Sequence, residues 1–266
     1  MVRTWEITAG KAREIRLKDE SSLDAVTRQL PDGYYSTFRT YDACTRVIGL
    51  SAHLRRMPDL DASLLRRHLI QLLEPFGPDE ARVRVMMTFA GQVYVSIEPL
   101  RMLPPDVYEK GVQVETTSIR RDSPRVKSTV FIDKSKEKRK YIAQKGVFEA
   151  LLVKNGRILE GMTSNFFYVP RSADEIYSAQ RDILLGVTRQ TVIRVARREG
   201  IGVRYKSLKL YQLSDVREAF ITSSSRGIVA VVKIDDVVVG QGRVGNITRR
   251  LSTAYKDYVI KNAEKI

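Results

Sequence analysis

The sequence predicts a two-domain α+β protein, and three observations support this fold class. The chain has 266 residues, which is enough for one large core or two smaller ones. Its hydrophobic content of 43% is typical of globular proteins. Strand-like and helix-like patterns are mixed in both halves of the chain. We therefore expect two α+β domains with a site at the domain interface.

The first half is predicted to contain strands, then helices, then strands. Strands are expected near 34–41 and 46–50, followed by helices at 51–57 and 61–74, where apolar residues recur at helical spacing. Strands return at 82–88, 92–100 and 112–117. A polar stretch at 118–124 ends in proline and predicts a crossing between domains. The predicted division is a smaller domain over 1–118, a connecting segment over 119–128 and a larger domain over 129–266.

The second half begins with a predicted helix over 131–145. A hairpin follows, in which two short apolar strands flank the turn Asn155-Gly156, the strongest short-range hairpin signal. A loop at 182–186 leads into a helix over 188–199, and Gly200 is placed to terminate it. Further strands are expected at 218–223, 229–235 and 237–239, and a helix at 246–262.

Composition limits the function classes. The formal net charge is +15, which suits either nucleic-acid binding or a basic surface that favours anionic substrates. The densest basic run, 134–140, lacks an accompanying nucleic-acid-binding motif, so a solvated helix or loop is favoured and nucleic acid is an unlikely partner. One cysteine, Cys44, and two histidines, His53 and His68, argue against a disulfide or a metal site.

The sequence has no apolar run long enough to span a membrane and no apolar segment of the signal-peptide type. A cytoplasmic location is the resulting expectation.

Glu160 is the most informative single residue. It lies at the end of the second hairpin strand and is followed by the small polar residues Thr163, Ser164 and Asn165, after which an apolar strand resumes. An acid at a strand end is commonly solvated beside a turn. If it is buried, however, its carboxylate needs a partner, because desolvating an unpaired charge is costly.

Several motifs occur in the order found in a known enzyme family. They are Gly33-Tyr34-Tyr35, His53-Leu-Arg-Arg56, Glu160-Gly-x-x-Ser164-Asn165-Phe-Phe, Leu185-Gly186-Val187-Thr188-Arg189, Phe220-Ile-Thr222-Ser223-Ser224 and Gly245-Asn-Ile-Thr248. Together they resemble the fold-type IV aminotransferases, which include branched-chain aminotransferase, D-amino acid transaminase and aminodeoxychorismate lyase. The resemblance covers the chain from about residue 30. It implies the fold-type IV two-domain architecture, pyridoxal 5'-phosphate as cofactor and a homodimer.

The resemblance requires a lysine that forms a Schiff base with the cofactor. Lys127 lies between Val126 and Ser128 and leads into an apolar stretch, whereas other lysines belong to the charged run. It also precedes Glu160 by about the interval seen in the family. A partly desolvated lysine is nucleophilic near neutral pH. Lys127 is therefore the predicted Schiff-base lysine and general base, with Lys136 as the alternative.

The resemblance also assigns the cofactor-binding residues. Glu160 is expected to keep the pyridine nitrogen protonated. The phosphate is expected at the helix entry formed by Val187 and Thr188, with further ligands from Ser224 and Arg56. Tyr35 and Asn165 complete the predicted cofactor-binding set, although Tyr35 also suits a core aromatic.

Substrate residues match the family less well. Ile132 replaces the tyrosine that often follows the lysine in branched-chain enzymes, and the Arg-x-His carboxylate trap of D-amino acid transaminases is absent. Arg39 and Arg84 are candidates for binding a substrate carboxylate, and Ser223 is a third candidate substrate contact. Transamination of a branched-chain or other hydrophobic L-amino acid with a 2-oxo acid is the leading prediction. The alternatives are an aminodeoxychorismate lyase-type enzyme, a relative that has lost activity, and a basic nucleic-acid-binding protein.

Overall fold

A computed structural model describes all residues from Met1 to Ile266. The seventeen strands are β1 (Arg3–Ile7), β2 (Ala12–Ile15), β3 (Gly33–Tyr41), β4 (Arg46–Val47), β5 (Ala81–Thr88), β6 (Val93–Pro99), β7 (Val112–Thr117), β8 (Glu149–Lys154), β9 (Arg157–Gly161), β10 (Asn165–Pro170), β11 (Glu175–Ser178), β12 (Gly202–Tyr205), β13 (Leu208–Lys209), β14 (Val216–Ser223), β15 (Gly227–Ile234), β16 (Val237–Val238) and β17 (Glu264–Lys265).

The eight α-helices are α1 (Leu23–Thr27), α2 (Leu50–Leu54), α3 (Ala62–Leu73), α4 (Pro105–Lys110), α5 (Val130–Lys134), α6 (Lys136–Gln144), α7 (Val187–Arg198) and α8 (Asn246–Asn262). Short 3₁₀ helices cover Glu74–Phe76 and Leu210–Asp215. No helix combines the length and the apolar character that crossing a bilayer requires.

The chain forms two compact units. The first comprises Met1–Arg101, Val126–Lys134 and Val259–Ile266, and the second comprises Met102–Arg125 and Ser135–Tyr258. The predicted boundaries at 118 and 129 differ from this division. The segment that carries Lys127 belongs to the first unit, although the stretches on either side of it belong to the second.

The first unit is built on a seven-stranded sheet in the order β17-β4-β3-β5-β6-β1-β2. All of its strand pairs are antiparallel. The apolar side of α3 supplies Leu65, Leu69 and Leu73 to a core that also contains Phe38 and Val95. Asp61 caps α3 by accepting a hydrogen bond from the Leu64 N–H, which fixes where that helix begins.

The second unit contains a ten-stranded mixed sheet. Strands β10, β14, β15, β7, β8 and β9 pair in succession, and an additional β9–β10 pairing closes them into a ring. That closure is a single residue pair, Asn165 opposite Glu160. The core of the unit includes Leu151, Phe166 and Ile221. Both residues at the closure are predicted cofactor ligands, so the register of the sheet itself brings them together.

The observed elements confirm the hairpin and the last helix. Asn155 and Gly156 both adopt positive φ, and Lys154 pairs with Arg157 across the turn. The predicted helix over 131–145 is instead two helices, α5 and α6, which break at Ser135. The break coincides with the passage from the first unit to the second, so packing within each unit overrides the continuous helical pattern.

Candidate active site

Lys127 lies in an extended segment that runs beside β3 without belonging to a named strand. Its carbonyl accepts a hydrogen bond of 2.9 Å from the Tyr35 N–H, and the Thr129 N–H donates to the Gly33 carbonyl at 3.0 Å. The Thr129 hydroxyl in turn accepts from the Gly33 N–H at 3.0 Å. These bonds fix the backbone on both sides of Ser128, which pairs with Tyr34 as a β-bridge. Backbone hydrogen bonds to β3 therefore hold the segment that carries Lys127.

The Lys127 ammonium group faces an aromatic ring. Its Nζ lies 4.8 Å from the centroid of the Tyr35 ring, and Tyr35 is buried. Lys127 itself is half-buried, whereas Lys136 is exposed in α6. A lysine against an aromatic face loses part of its hydration, while an exposed lysine keeps it. This difference in environment favours Lys127 over Lys136 as the reactive lysine.

Arg84 is buried and its donors are engaged by the protein. Its guanidinium donates to the Leu23 carbonyl at 2.9 Å and to the hydroxyls of Thr27 and Thr37 at 2.7 and 3.0 Å. It also forms an ion pair of 2.8 Å with Asp24. The same guanidinium lies 4.7 Å from the Tyr35 ring centroid. This arrangement favours a structural role that ties α1 to the sheet over the predicted contact with a substrate carboxylate.

Arg56 follows the C-terminal end of α2, one residue after the helix cap. Its Nη1 donates to the Ser36 hydroxyl at 3.3 Å, and Ser36 is in turn 2.8 Å from Nδ1 of His53. Arg39, by contrast, donates to the Thr40 carbonyl and lies over the Tyr41 ring.

Glu160 is buried, so the solvated alternative is wrong for this residue. Its side chain is 2% exposed, and its Oε1 accepts from Arg121 Nε at 3.2 Å. Oε2 accepts from Asn165 Nδ2 at 3.2 Å and from the Leu184 N–H at 3.0 Å. Three donors, one of them a buried cation, favour the ionised carboxylate in this low-dielectric setting.

Arg121 was not identified from the sequence as a site residue. Its side chain is 7% exposed, and its Nη2 also donates to the Met162 carbonyl at 3.2 Å. The only available signal was indirect, because a buried acid requires a cationic or hydrogen-bonding partner somewhere in the fold. Nothing in the spacing distinguished Arg121 from its neighbour Arg120.

The N-terminus of α7 is where the resemblance predicts the phosphate. Gly186 is the N-cap and no side chain caps the helix, although the first N–H groups of any helix lack intrahelical acceptors. The Thr188 hydroxyl lies 3.2 Å from that of Ser224. On β14, the buried Thr222 hydroxyl has no hydrogen-bond partner. The Thr188 and Ser224 hydroxyls are thus brought together at this helix terminus.

Gly186 and Asn165 are in close contact. A Cβ at position 186 would overlap Asn165 Oδ1. Asn165 Nδ2 donates to the Leu184 carbonyl at 2.7 Å as well as to Glu160. Asn165 therefore connects the loop before α7 to the carboxylate, and only glycine allows that loop to approach so closely.

Ser223 has a different set of contacts from its neighbour Ser224. Its hydroxyl accepts from Arg226 Nε at 3.0 Å, and Arg226 also pairs with the buried Glu149 at 3.3 Å. Thr163 and Ser164 donate to the same carboxylate of Glu149. Ser223 therefore belongs to a second acid–arginine cluster, which the sequence did not reveal.

Comparison with known proteins supports the motif assignment. The profile of the family described as Amino-transferase class IV matches residues 35–234. The chain is 30% identical to the "Putative branched-chain-amino-acid aminotransferase" of Methanocaldococcus jannaschii over 264 residues, covering 88% of this chain and 90% of that protein. It is 27% identical to the aminodeoxychorismate lyase of Bacillus subtilis over 252 residues, covering 84% of each chain.

A solved structure agrees with the sequence matches. The crystal structure of a "putative branched-chain amino acid aminotransferase" from Thermotoga maritima superposes with a TM-score of 0.80 at 25% identity, covering 97% of this chain and 96% of that one. The predicted fold-type IV architecture is thereby confirmed. Because the family profile and a full-length relative match most of the sequence, the chain belongs to the class IV aminotransferases, the enzymes that use pyridoxal 5'-phosphate to exchange amino groups between amino acids and 2-oxo acids.

Proposed function

We propose that this enzyme transfers the amino group of a branched-chain or other hydrophobic L-amino acid to a 2-oxo acid, with Lys127 as the lysine that carries the cofactor. The observation that carries the proposal is the buried Glu160 carboxylate held by Arg121, Asn165 and the Leu184 N–H. The names of the relatives from M. jannaschii and T. maritima support the choice of donor.

The residues present suit pyridoxal phosphate. The ionised Glu160 is suited to a protonated pyridine nitrogen. The α7 terminus, which has no capping side chain and where the Thr188 and Ser224 hydroxyls meet, is suited to a phosphate. Val187 and Thr188 would supply backbone N–H groups, and Ser224 a hydroxyl. Arg56 is proposed as a charged phosphate ligand and Tyr35 as a contact of the lysine.

When bound, the cofactor supplies an electron sink for the negative charge that develops at the substrate α-carbon. The protein's own part is to place acids, bases and donors. Lys127 would hold the cofactor and then move the proton at the α-carbon. Backbone hydrogen bonds to β3 hold the segment that carries this amine in place. Glu160 would hold the proton on the ring nitrogen. Asn165 would keep the Glu160 carboxylate in place through Oε2.

Arg39 and Ser223 stay proposals for contacts with the substrate. Arg84 is left out of this set, because its donors already bind Leu23, Thr27, Thr37 and Asp24. We further propose that the protein is cytoplasmic and forms a homodimer. Light scattering of the purified protein would test the dimer.

The decisive experiment is an absorbance spectrum with added pyridoxal phosphate, before and after borohydride, on wild type and on Lys127→Ala. The wild type should form a bound-cofactor band and a reduced adduct that peptide mapping places at Lys127. Lys136→Ala is the matched control and should behave as wild type. A reduced adduct at one other specific lysine in the Lys127→Ala protein would refute the assignment.

A second candidate function is a lyase acting on aminodeoxychorismate, which the match to the B. subtilis enzyme favours. The two activities give different products from one cofactor. Glutamate formation from 2-oxoglutarate with leucine, isoleucine or valine would support the transaminase. Pyruvate release from aminodeoxychorismate, with no glutamate formed, would support the lyase. D-Alanine is included as a donor to test the stereochemical preference.

A further inference from the structure

We propose that Ser36 and His53 form a neutral hydrogen-bond relay that orients the Arg56 guanidinium for an anionic ligand, the cofactor phosphate. The inference rests on the proposed role of Arg56 and deepens it by identifying what holds that side chain. The relay joins His53 and Arg56 of the motif His53-Leu-Arg-Arg56 to Ser36 on β3.

The three residues come from two elements of the first unit. Ser36 lies on β3 and His53 on α2, and both side chains are fully buried at 0% exposure. Ser36 Oγ is 2.8 Å from His53 Nδ1 and 3.3 Å from Arg56 Nη1. The Phe38 ring packs against the imidazole with centroids 5.2 Å apart. A hydroxyl on a central strand therefore connects the helix to the arginine that follows it.

The direction of the hydrogen bonds follows from the chemistry of the groups. A guanidinium has only donors, so Ser36 Oγ must accept from Arg56. We assign the neutral tautomer in which the Ser36 hydroxyl donates to His53 Nδ1. That assignment places the imidazole proton on Nε2, which has no hydrogen-bond partner. The relay runs from Arg56 through Ser36 to His53, and each atom has one role.

The histidine is neutral in this arrangement. Burial lowers the pKa of His53 well below its ordinary value, and the nearby charges of Arg56 and Lys127 lower that pKa further. In the neutral imidazole, Nδ1 can accept a hydrogen bond from the serine hydroxyl. A protonated imidazole would instead donate to the serine oxygen and compete with Arg56 for it. It would also add a third positive charge to Arg56 and Lys127. Neutrality of His53 and orientation of Arg56 therefore depend on the same contacts.

The relay matters because arginine has many rotamers in solution. A fixed acceptor limits the conformations that Arg56 must lose when it binds an anion. Removing the Ser36 hydroxyl should leave the charge of Arg56 in place but remove an acceptor that helps to orient its guanidinium. We therefore expect a loss of phosphate affinity of about tenfold, the lower end of the range for a hydrogen bond to a charged group.

The experiment compares two ligands that differ only in the phosphate. Dissociation constants for pyridoxal phosphate and for pyridoxal are measured on cofactor-free wild type, Ser36→Ala, Arg56→Gln and the double variant. Ser36→Ala should weaken pyridoxal phosphate about tenfold and leave pyridoxal within about twofold. In the Arg56→Gln background, Ser36→Ala should have no further effect on either ligand. His53→Asn, whose amide oxygen can replace the Nδ1 acceptor, should keep near wild-type affinity, while His53→Leu should resemble Ser36→Ala.

The outcomes separate the two levels of the proposal. The phosphate preference is the dissociation constant of pyridoxal divided by that of pyridoxal phosphate. If Arg56→Gln leaves this ratio unchanged, Arg56 is not a phosphate ligand and the proposed function loses that residue. If Arg56→Gln lowers the ratio but Ser36→Ala weakens both ligands equally, or adds fully to Arg56→Gln, the relay is refuted and Arg56 keeps its role. If His53→Leu does not fold, the Ser36–Arg56 cycle decides the question alone.

Discussion

The Arg121–Glu160 ion pair makes the most quantitative prediction, because both of its members are buried. Their side chains are 7% and 2% exposed and the charged atoms are 3.2 Å apart, so solvent screening is weak. Replacing Arg121 by Gln removes the cation and leaves the carboxylate in the interior. Breaking a buried pair in this way costs about 3–5 kcal/mol. For a chain of this size, that loss corresponds to a fall in melting temperature on the order of 10 °C.

The magnitude depends on what Glu160 retains. Asn165 and the Leu184 N–H still donate to Oε2 in the variant, so the carboxylate loses its charge partner but not every hydrogen bond. In Glu160→Gln, by contrast, the new amide group must direct its N–H donors either at Arg121 or at the Asn165 and Leu184 donors. Each single variant therefore leaves an uncompensated group. The double variant removes both charges and should recover part of the loss, with a coupling of roughly 2 kcal/mol or more.

The assay is thermal and urea unfolding of the cofactor-free protein for the four members of the cycle. The control is Arg204→Gln, which breaks the exposed pair between Arg204 and Glu175 in the same unit, with side chains 64% and 27% exposed. That change should cost no more than about 1 kcal/mol. Additive effects in the cycle, or equal losses for Arg121→Gln and Arg204→Gln, would refute the view that the two buried charges stabilise each other.

Three further predictions concern other parts of the molecule. The pKa of His53 is lowered from 6.5 in the folded state, so only the unfolded chain binds a proton at this residue just below that pH. The free energy of unfolding should therefore fall on acidification by up to about 1.4 kcal/mol per pH unit. His53→Asn should reduce this pH dependence in urea unfolding. Gly186→Ala should weaken pyridoxal phosphate binding, because its Cβ overlaps Asn165, whereas Gly10→Ala, at a site with open space, should not; equal affinities in titration would contradict this reasoning. Arg84→Met should lower the melting temperature but leave the Michaelis constant for the 2-oxo acid within about twofold, and a large rise in that constant would restore Arg84 as a substrate residue.

Local sequence signals predicted the elements whose stability is mostly local. The Asn155-Gly156 turn requires two residues with positive φ, and this pair adopts them. The helix Asn246–Asn262 and the strand Val112–Thr117 have the predicted bounds. The N-terminal strands β1 and β2 and the parallel pair β11–β12 had no comparable local pattern. Pairing with neighbours distant in the chain determines such strands, so a single segment does not reveal them.

The site residues likewise fall into those that the sequence indicated and those that only the structure revealed. Lys127, Glu160, Thr188 and Ser224 could be selected from the sequence because the resemblance to the fold-type IV aminotransferases implies a role for each. The partners of these groups could not. Arg121 on Glu160 and Ser36 on Arg56 are contacts across 39 and 20 residues of chain, and many arginines and serines would have suited each role equally well.

Charge composition was the least specific signal. The net charge of +15 left nucleic acid and anionic metabolites both open as partners. In the structure, Arg121, Arg84 and Arg189 are each committed to buried contacts. A count of basic residues does not distinguish arginines that organise the interior from those that face solvent.

The sequence by itself indicated the family and, through that resemblance, the cofactor, because several motifs occur in the family's order along the chain. It also determined the hairpin and the helix entry, because these depend on residue types at short spacing. Tertiary structure decided which unit carries Lys127, where the helix after it breaks and how the sheet ring closes. The closing pair of Glu160 and Asn165 depends on the register of two strands. Whether Glu160 is a solvated acid or a buried, paired one follows from that register and from Arg121, and neither is a local property of the chain.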